Sequence, residues 1–142
     1  MYIIQNKTVL DKNLPLGLNA AREFFLWAIF FDRFELAKYL CSKTWNQSAA
    51  PLIATRIYRL AATLAIHLET KQHYKNNANQ FDTYAMSIID RCFSNDEYFA
   101  VELLKQPALA FNNVEPLKLA EQAKCRAFLA SKSVQKHLDH EW

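Results

Sequence analysis

Apolar positions dominate the first half of the chain in a pattern that breaks once and resumes. In "REFFLWAIFFDRFELAKYL" they run without interruption from Phe24 to Phe31, stop at Asp32-Arg33, and return as Phe34, Leu36, Ala37, Tyr39 and Leu40. Asn19 is a suitable N-cap for the first helix. Asp32 followed by Glu35 has the acceptor-and-carboxylate spacing of a capping box, so a second helix is expected from Arg33 to about Lys43 with Leu36, Ala37, Tyr39 and Leu40 inward. A bilayer span needs about 20 apolar residues, which the run ending at Phe31 does not reach. Six aromatics (Phe24, Phe25, Trp27, Phe30, Phe31 and Phe34) surround this helix, where they could line a ligand pocket or fill a core. Core is the commoner use of such spacing, and a helix apolar nearly all round needs more cover than one partner helix provides.

A long helix is expected over about 49–73, with Pro51 in its first turn. Ile53, Ile57, Leu60, Leu64 and Leu68 would face inward, and Arg56, Arg59, Thr63 and His67 outward. "KQHYKNNANQ", Lys71 to Gln80, reads as a polar loop. Phe81, Ala85, Ile88, Ile89 and Cys92 then line a helix from Phe81 to Phe93. Ser94-Asn95-Asp96-Glu97 repeats the capping-box pattern before a short helix carrying Phe99, Ala100, Leu103 and Leu104, which Pro107 ends. A last pair follows in "EPLKLAEQAKCRAFLASKSVQKHL": Leu117, Ala120 and Ala123 line its first helix, Phe128 and Leu129 begin the next, and Val134 and Leu138 continue it.

Composition sharpens this reading. Gly17 is the only glycine in 142 residues, and no Asn-Gly or Asp-Gly pair offers a tight hairpin turn. With many Ala, Leu, Lys, Glu and Gln, the fold class is all-α. Helix, capped break and second helix with a terminal Leu pair occur three times, the grammar of helical hairpin repeats in a degenerate, ankyrin-like α-solenoid. "EPLKLAEQA" is close to an ankyrin repeat opening, with Glu115 in place of threonine. The expected organisation is an irregular lead-in over 1–18 and a helical-repeat domain over 19–142, with hairpins at about 19–43, 81–106 and 115–140 and the long helix between.

The formal charge of +3 is mild and the basic residues are scattered along the chain, which argues against a nucleic-acid partner. Cys41, Cys92 and Cys125 are odd in number, far apart and without a C-x-x-C, and read as free thiols in a reducing compartment. "MYIIQNKTVL" has no charged region leading into an apolar one, so no secretory signal is expected and the segment is placed in the cytosol.

Candidate chemistry is thin. His137 and His140, beside Asp139 and Glu141, have an i,i+3 spacing, but a zinc site takes three or four protein ligands and nothing else supplies them. His67 and His73 flank Glu69, where a solvated cluster is the simpler reading. Asp96-Glu97 and Asp90 could suggest paired carboxylates, but Ser94 to Glu97 is better explained as capping at a helix start. One glycine rules out a phosphate loop and an EF-hand. Cys92 lies in an apolar stripe and Cys125, between Lys124 and Arg126, has no histidine close in sequence. The expectation is no catalytic, cofactor-binding or metal-binding residue, and no enzyme.

The order of these elements resembles the cytoplasmic region just before the membrane domain of melastatin-type transient receptor potential (TRPM) cation channels. The resemblance runs from about Leu14 to Trp142, through "FFLWAI", "DRFELAKYL", "APLIATRIYRLAATLA", "YAMSIIDRCFSNDEYFAVELL" and "PLKLAEQAKCRAFLASKSVQKHL". Phe111-Asn112-Asn113 stands where that family usually has a tryptophan, and the Asn-rich segment 71–80 where relatives often carry acidic inserts. The resemblance implies a fourth melastatin homology region: a helical layer of a tetrameric, calcium-permeable or non-selective cation channel at the plasma membrane. Such a layer links N-terminal sensing domains to the membrane gate and contacts neighbouring domains and subunits, with no pore or membrane insertion of its own. The end of the sequence at Trp142 favours a fragment of a longer chain. The aromatic helix would then be buried, in part by adjoining domains. The competing expectation is a free-standing cytosolic ankyrin-like adaptor.

Overall fold

The computed structural model describes residues 16–44, 47–108, 111 and 113–141. The lead-in expected over 1–18 lies largely outside them. Eight α-helices make up the described chain: α1 (Leu16–Phe30), α2 (Phe34–Cys41), α3 (Ala50–Leu64), α4 (Leu68–Asn95), α5 (Glu97–Lys105), α6 (Pro116–Ala123), α7 (Arg126–Leu129) and α8 (Lys132–Glu141). The all-α class therefore holds. Asn19 is not an N-cap, because α1 already includes it.

The long helix is α4, and it lies where a loop was expected. Lys71 to Gln80 is helical throughout, so the helix anticipated from Phe81 is the second half of an element of 28 residues, about 42 Å long. Asparagine weakly disfavours a helix interior, but tertiary burial decides here. Tyr74 is half-buried, and Asn77, Ala78, Phe81, Asp82, Ala85 and Ile89 are buried at three-to-four spacing along one face. Conversely, the helix expected over about 49–73 ends at Leu64, and Ala65 and His67 are extended.

The inward face of α3 matches the expected one only in part: Ile53 and Ile57 are partly buried against the cores as anticipated. Leu52, Ala54, Thr55, Tyr58 and Ala62 are buried, whereas Leu60 and Leu64 face outward. Small residues at Ala54 and Ala62 let α3 lie close against α4, and these two form the most extensive helix pair. In α2, similarly, Ala37 and Cys41 are buried while Leu36 and Tyr39 are exposed.

Because α4 is long it serves two cores. Its first half adds Ala78 and Phe81 to a cluster with Phe25, Ala28 and Ile29 of α1, Ala37 and Cys41 of α2, and Tyr58. Its second half adds Ala85 and Ile89 to a cluster with Ala100, Leu104, Leu119, Ala120, Phe128 and Val134. Phe81 stacks on Tyr58 with centroids 5.9 Å apart and meets Phe34 edge-on at 5.1 Å. The helix joins the N-terminal pair α1/α2 to the C-terminal group α5–α8 as a common strut.

Candidate functional site: an aromatic face on clamped helices

Among the described residues three backbone positions are left-handed, and none is glycine: Asp32, Asn113 and Lys124, with φ of 54°, 57° and 56°. At the first, the Asp32 amide donates to Ile29 O at 3.0 Å and the Arg33 amide to Ala28 O at 2.7 Å, the pair of bonds of a Schellman motif ending α1. Lys124 does the same for α6, its amide donating to Glu121 O and that of Cys125 to Ala120 O.

Asp32 does not cap α2 as the sequence suggested; Arg33 holds the N-cap position and no side chain caps it. The Asp32 carboxylate reaches across the fold instead. Oδ1 accepts from Tyr58 Oη at 3.1 Å and Asn77 Nδ2 at 3.2 Å, and Oδ2 accepts from His73 Nε2 at 2.7 Å. One side chain thus fastens the α1–α2 corner to α3 and α4. His73 belongs to this clamp, not to a cluster with His67 and Glu69. Sequence reading missed it because it placed His73 at a helix end.

Asp82 is a second clamp. Its side chain is buried, Oδ2 accepts from the Ala127 amide at 2.9 Å, and Oδ1 accepts from the Phe128 amide at 3.0 Å. It supplies from α4 the cap that the start of α7 lacks in its own sequence. Arg59 Nη2 lies 3.8 Å from Oδ2. At α5 the local cap is Asp96, accepting from the Phe99 amide at 3.1 Å. Ser94 instead donates to Asp90 O, so the cap expected at Ser94 lies two residues later, as a single N-cap bond to Asp96 without the reciprocal half of a capping box.

Between these clamps the thiols are packed away. Cys41 and Cys125 are buried, Cys92 is partly so, and all are free. Burial pushes the Cys41 thiol well above its ordinary value and Cys125 up to about 12, with the nearby Asp82 carboxylate adding to the latter. Neither is primed as a nucleophile. His137 is half-exposed on α8, while the side chains of His140 and Glu141 lie outside the described residues. Among the described residues no group of three or more His, Cys, Asp or Glu is placed to hold a metal ion.

What the clamps hold rigid is an apolar surface. Phe25, Ala28 and Ile29 fill the core, but Phe24, Trp27, Phe30 and Phe31 point outward, Phe30 with 70% of its surface open. Trp27 and Phe31 pack together one turn apart at 5.0 Å. Leu36 and Tyr39 of α2 are exposed too. The aromatic helix is thus covered on one side by this chain and open on the other, the side for which cover by adjoining domains was expected. Isolated exposed hydrophobes are ordinary; four exposed aromatics on one helix, two of them packed together, are more than that.

The fold also gathers cations that are dispersed in sequence. Arg56 and Arg59 of α3, Lys71 and Lys75 of α4, and Lys124 and Arg126 at the α6–α7 turn line one cavity. The signal was present as i,i+3 and i,i+4 spacings on paired helices, but it vanishes if 71–80 is taken as a loop.

The model of the TRPM2-like domain matches residues 4–131. The chain belongs to the TRPM family. As a TRPM2-like domain it is 31% identical over 120 residues to transient receptor potential cation channel subfamily M member 4 of Rattus norvegicus, covering 84% of this chain and 10% of that protein. It is 30% identical over 135 residues to subfamily M member 7 of Homo sapiens, covering 92% of this chain and 7% of the relative. Against subfamily M member 5 of Homo sapiens it is 30% identical over 138 residues, 96% of this chain and 11% of the relative. The TRPM chain thus spans about a tenth of the length of these channels, or less. Among its described residues, no helix is long and apolar enough to cross a membrane.

Proposed function

We propose that this chain forms a cytoplasmic helical layer of a tetrameric, calcium-permeable or non-selective cation channel at the plasma membrane. It couples sensing domains on its N-terminal side to the gate and supports subunit assembly, its hairpins stacking in an ankyrin-like way. The carrying observation is the exposed aromatic group Phe24, Trp27, Phe30 and Phe31 on a hairpin fixed by Asp32. Family membership and the small share of each relative that the chain spans support a part whose apolar face is covered by other domains or subunits. Rigidity is what coupling requires: a displacement at one end of α4 reaches the other only if the corners do not yield.

The test is Trp27→Asp with Phe31→Asp in the full-length channel carrying this region. Loss of tetramers on native gels, of surface delivery and of current is expected, with the isolated 142-residue chain keeping its melting temperature. Normal assembly and current would overturn the proposal. Phe25→Asp is not a usable variant, since Phe25 is fully buried and its loss would act through folding.

A further inference from the structure

The pattern Ser94-Asn95-Asp96-Glu97 reads as a capping box in sequence, but only part of it caps. Asp96 holds the start of α5, and Ser94 is left in the last turn of α4, its hydroxyl donating to Asp90 O at 3.0 Å. Ser94 is exposed, as is every residue from Asn95 to Phe99. The backbone is already extended at Asp96, with φ −154° and ψ 101°. One bond closes the turn, from the Asp96 amide to Cys92 O at 2.8 Å. Helix ends open at low cost, so a serine here can be presented as extended chain where one in the middle of α4 cannot.

An exposed hydroxyl followed two and three positions later by carboxylates suits a kinase with a basic substrate groove, since kinases choose substrates by complementary charge. Arg91, three residues before, would suit the opposite class. It lies a turn inside α4, however, beyond Cys92 and Phe93, and displaying it in extended chain would pull both from the core they pack against. We propose that Ser94 is a phosphorylation site for a kinase that selects carboxylates on the C-terminal side of its target, and that the phosphate loosens the last turn of α4. In the transfer, Ser94 Oγ attacks the γ-phosphorus of the kinase's magnesium ATP. The new Oγ–P bond replaces the one to the β-phosphate oxygen, ADP leaves, and the hydroxyl proton passes to the kinase's catalytic carboxylate. The product carries about −1.5 to −2 charges near pH 7. It stands at the negative end of the α4 macrodipole, with Asp90 and Asp96 close in sequence, and both effects oppose the folded turn. Lys136 of α8 is the cation at this corner, paired with Glu97 and 5.9 Å from the Phe93 ring, and the phosphate competes with Glu97 for it. This inference does not rest on the channel reading.

The 142-residue chain is incubated with magnesium ATP and casein kinase 2, which selects C-terminal acids, and in parallel with cyclic-AMP-dependent protein kinase, which selects preceding arginines. One phosphate per chain is expected from the first, mapped to Ser94 by peptide mass and absent from Ser94→Ala. Asp96→Asn with Glu97→Gln keeps an N-cap side chain and is expected to slow the reaction about tenfold or more, the worth of a lost charge-assisted contact. Glu102→Gln, which removes an acid of α5 outside the pattern, is expected to leave the rate within about twofold. In the phosphorylated chain the Asp96 amide should exchange about threefold faster or more. A peptide of residues 88–102 that takes phosphate while the folded chain takes none would show the corner closed and overturn the proposal. It is equally overturned by no incorporation into either, by faster reaction with the arginine-directed kinase, by equal rates in the parent and the acid-depleted variant, or by unchanged exchange at Asp96.

Discussion

The carboxylate of Asp32 accepts the hydroxyl of Tyr58 at 3.1 Å, joining residues 26 positions apart and closing the α1–α2 corner onto α3. Tyr58 and Asn77 are buried, so removing Asp32 takes the acceptor from the Tyr58 hydroxyl and leaves Asn77 Nδ2 only its longer contact of 3.4 Å to His73 Nε2. Asp32→Ala is expected to cost about 2–4 kcal/mol in denaturant unfolding, including the penalty for alanine at positive φ. Asp32→Gly should cost less, because glycine removes the backbone strain but not the lost bonds. Asp32→Asn should cost least, as it keeps an acceptor and tolerates the left-handed region. Three variants within 0.5 kcal/mol of the parent, about the usual range for surface substitutions, would show that the clamp contributes nothing.

Asp82 makes the reverse connection, from the middle of the chain to its C-terminal third. Asp82→Ala strips the part-buried Ala127 amide and the buried Phe128 amide of their acceptor and removes the carboxylate 3.8 Å from Arg59. A loss of about 2–4 kcal/mol is expected. Hydrogen exchange should locate it: the amides of Ala127 and Phe128 should lose protection more than those of α1. Uniform loss across the chain would mean that Asp82 acts through general packing and not through the α7 cap.

The helical character of Lys71 to Gln80 is open to direct test. Asn76 is exposed within α4, where its carboxamide accepts from Gln72. Asn76→Pro removes a backbone donor and clashes with the preceding turn, at a cost of about 3 kcal/mol or more. Asn76→Ala should be neutral or slightly stabilising by propensity. If proline is tolerated within about 1 kcal/mol, the segment is not an uninterrupted helix.

Much of the fold was legible because single features carried it. The lone glycine indicated helices, the break at Asp32-Arg33 separated α1 from α2, and the Phe81-Ala85-Ile89 stripe identified a buried face correctly. Other parts depended on partners that sequence spacing does not reveal. The stripe Ile53-Ile57-Leu60-Leu64 is as periodic as Leu52-Thr55-Tyr58-Ala62, and the pairing with α4 buries the second while leaving Ile53 and Ile57 only partly covered and Leu60 and Leu64 exposed. Segment 71–80 has unremarkable local propensity, and Asn77 is buried because Asp32 lies 45 positions away in sequence but adjacent in space. The clamps and the cation-lined cavity share this origin. Each is built from residues on different helices, so neither exists until the helices pair.

Buried acids that stay protonated give the chain a specific alkaline weakness. Burial raises the Cys41 and Cys125 thiols above an ordinary value of 9.0, Cys125 up to about 12, and burial with the neighbouring Asp32 carboxylate raises Tyr58 above 10.0. In the unfolded chain these groups release their protons at the ordinary values, while the folded chain still holds them. Their contribution to stability is therefore complete below about pH 9 and is lost as pH rises toward the folded values. The slope is about 1.4 kcal/mol per pH unit for each thiol in this window. Urea midpoints should stay level with respect to these groups up to pH 8.5 or so and fall beyond it. In a Cys41→Ala, Cys125→Ala chain the fall between about pH 9 and 10 should largely disappear, leaving the later decline from tyrosine. A double variant with the same alkaline slope as the parent would mean that the thiols titrate alike in the folded and unfolded chains.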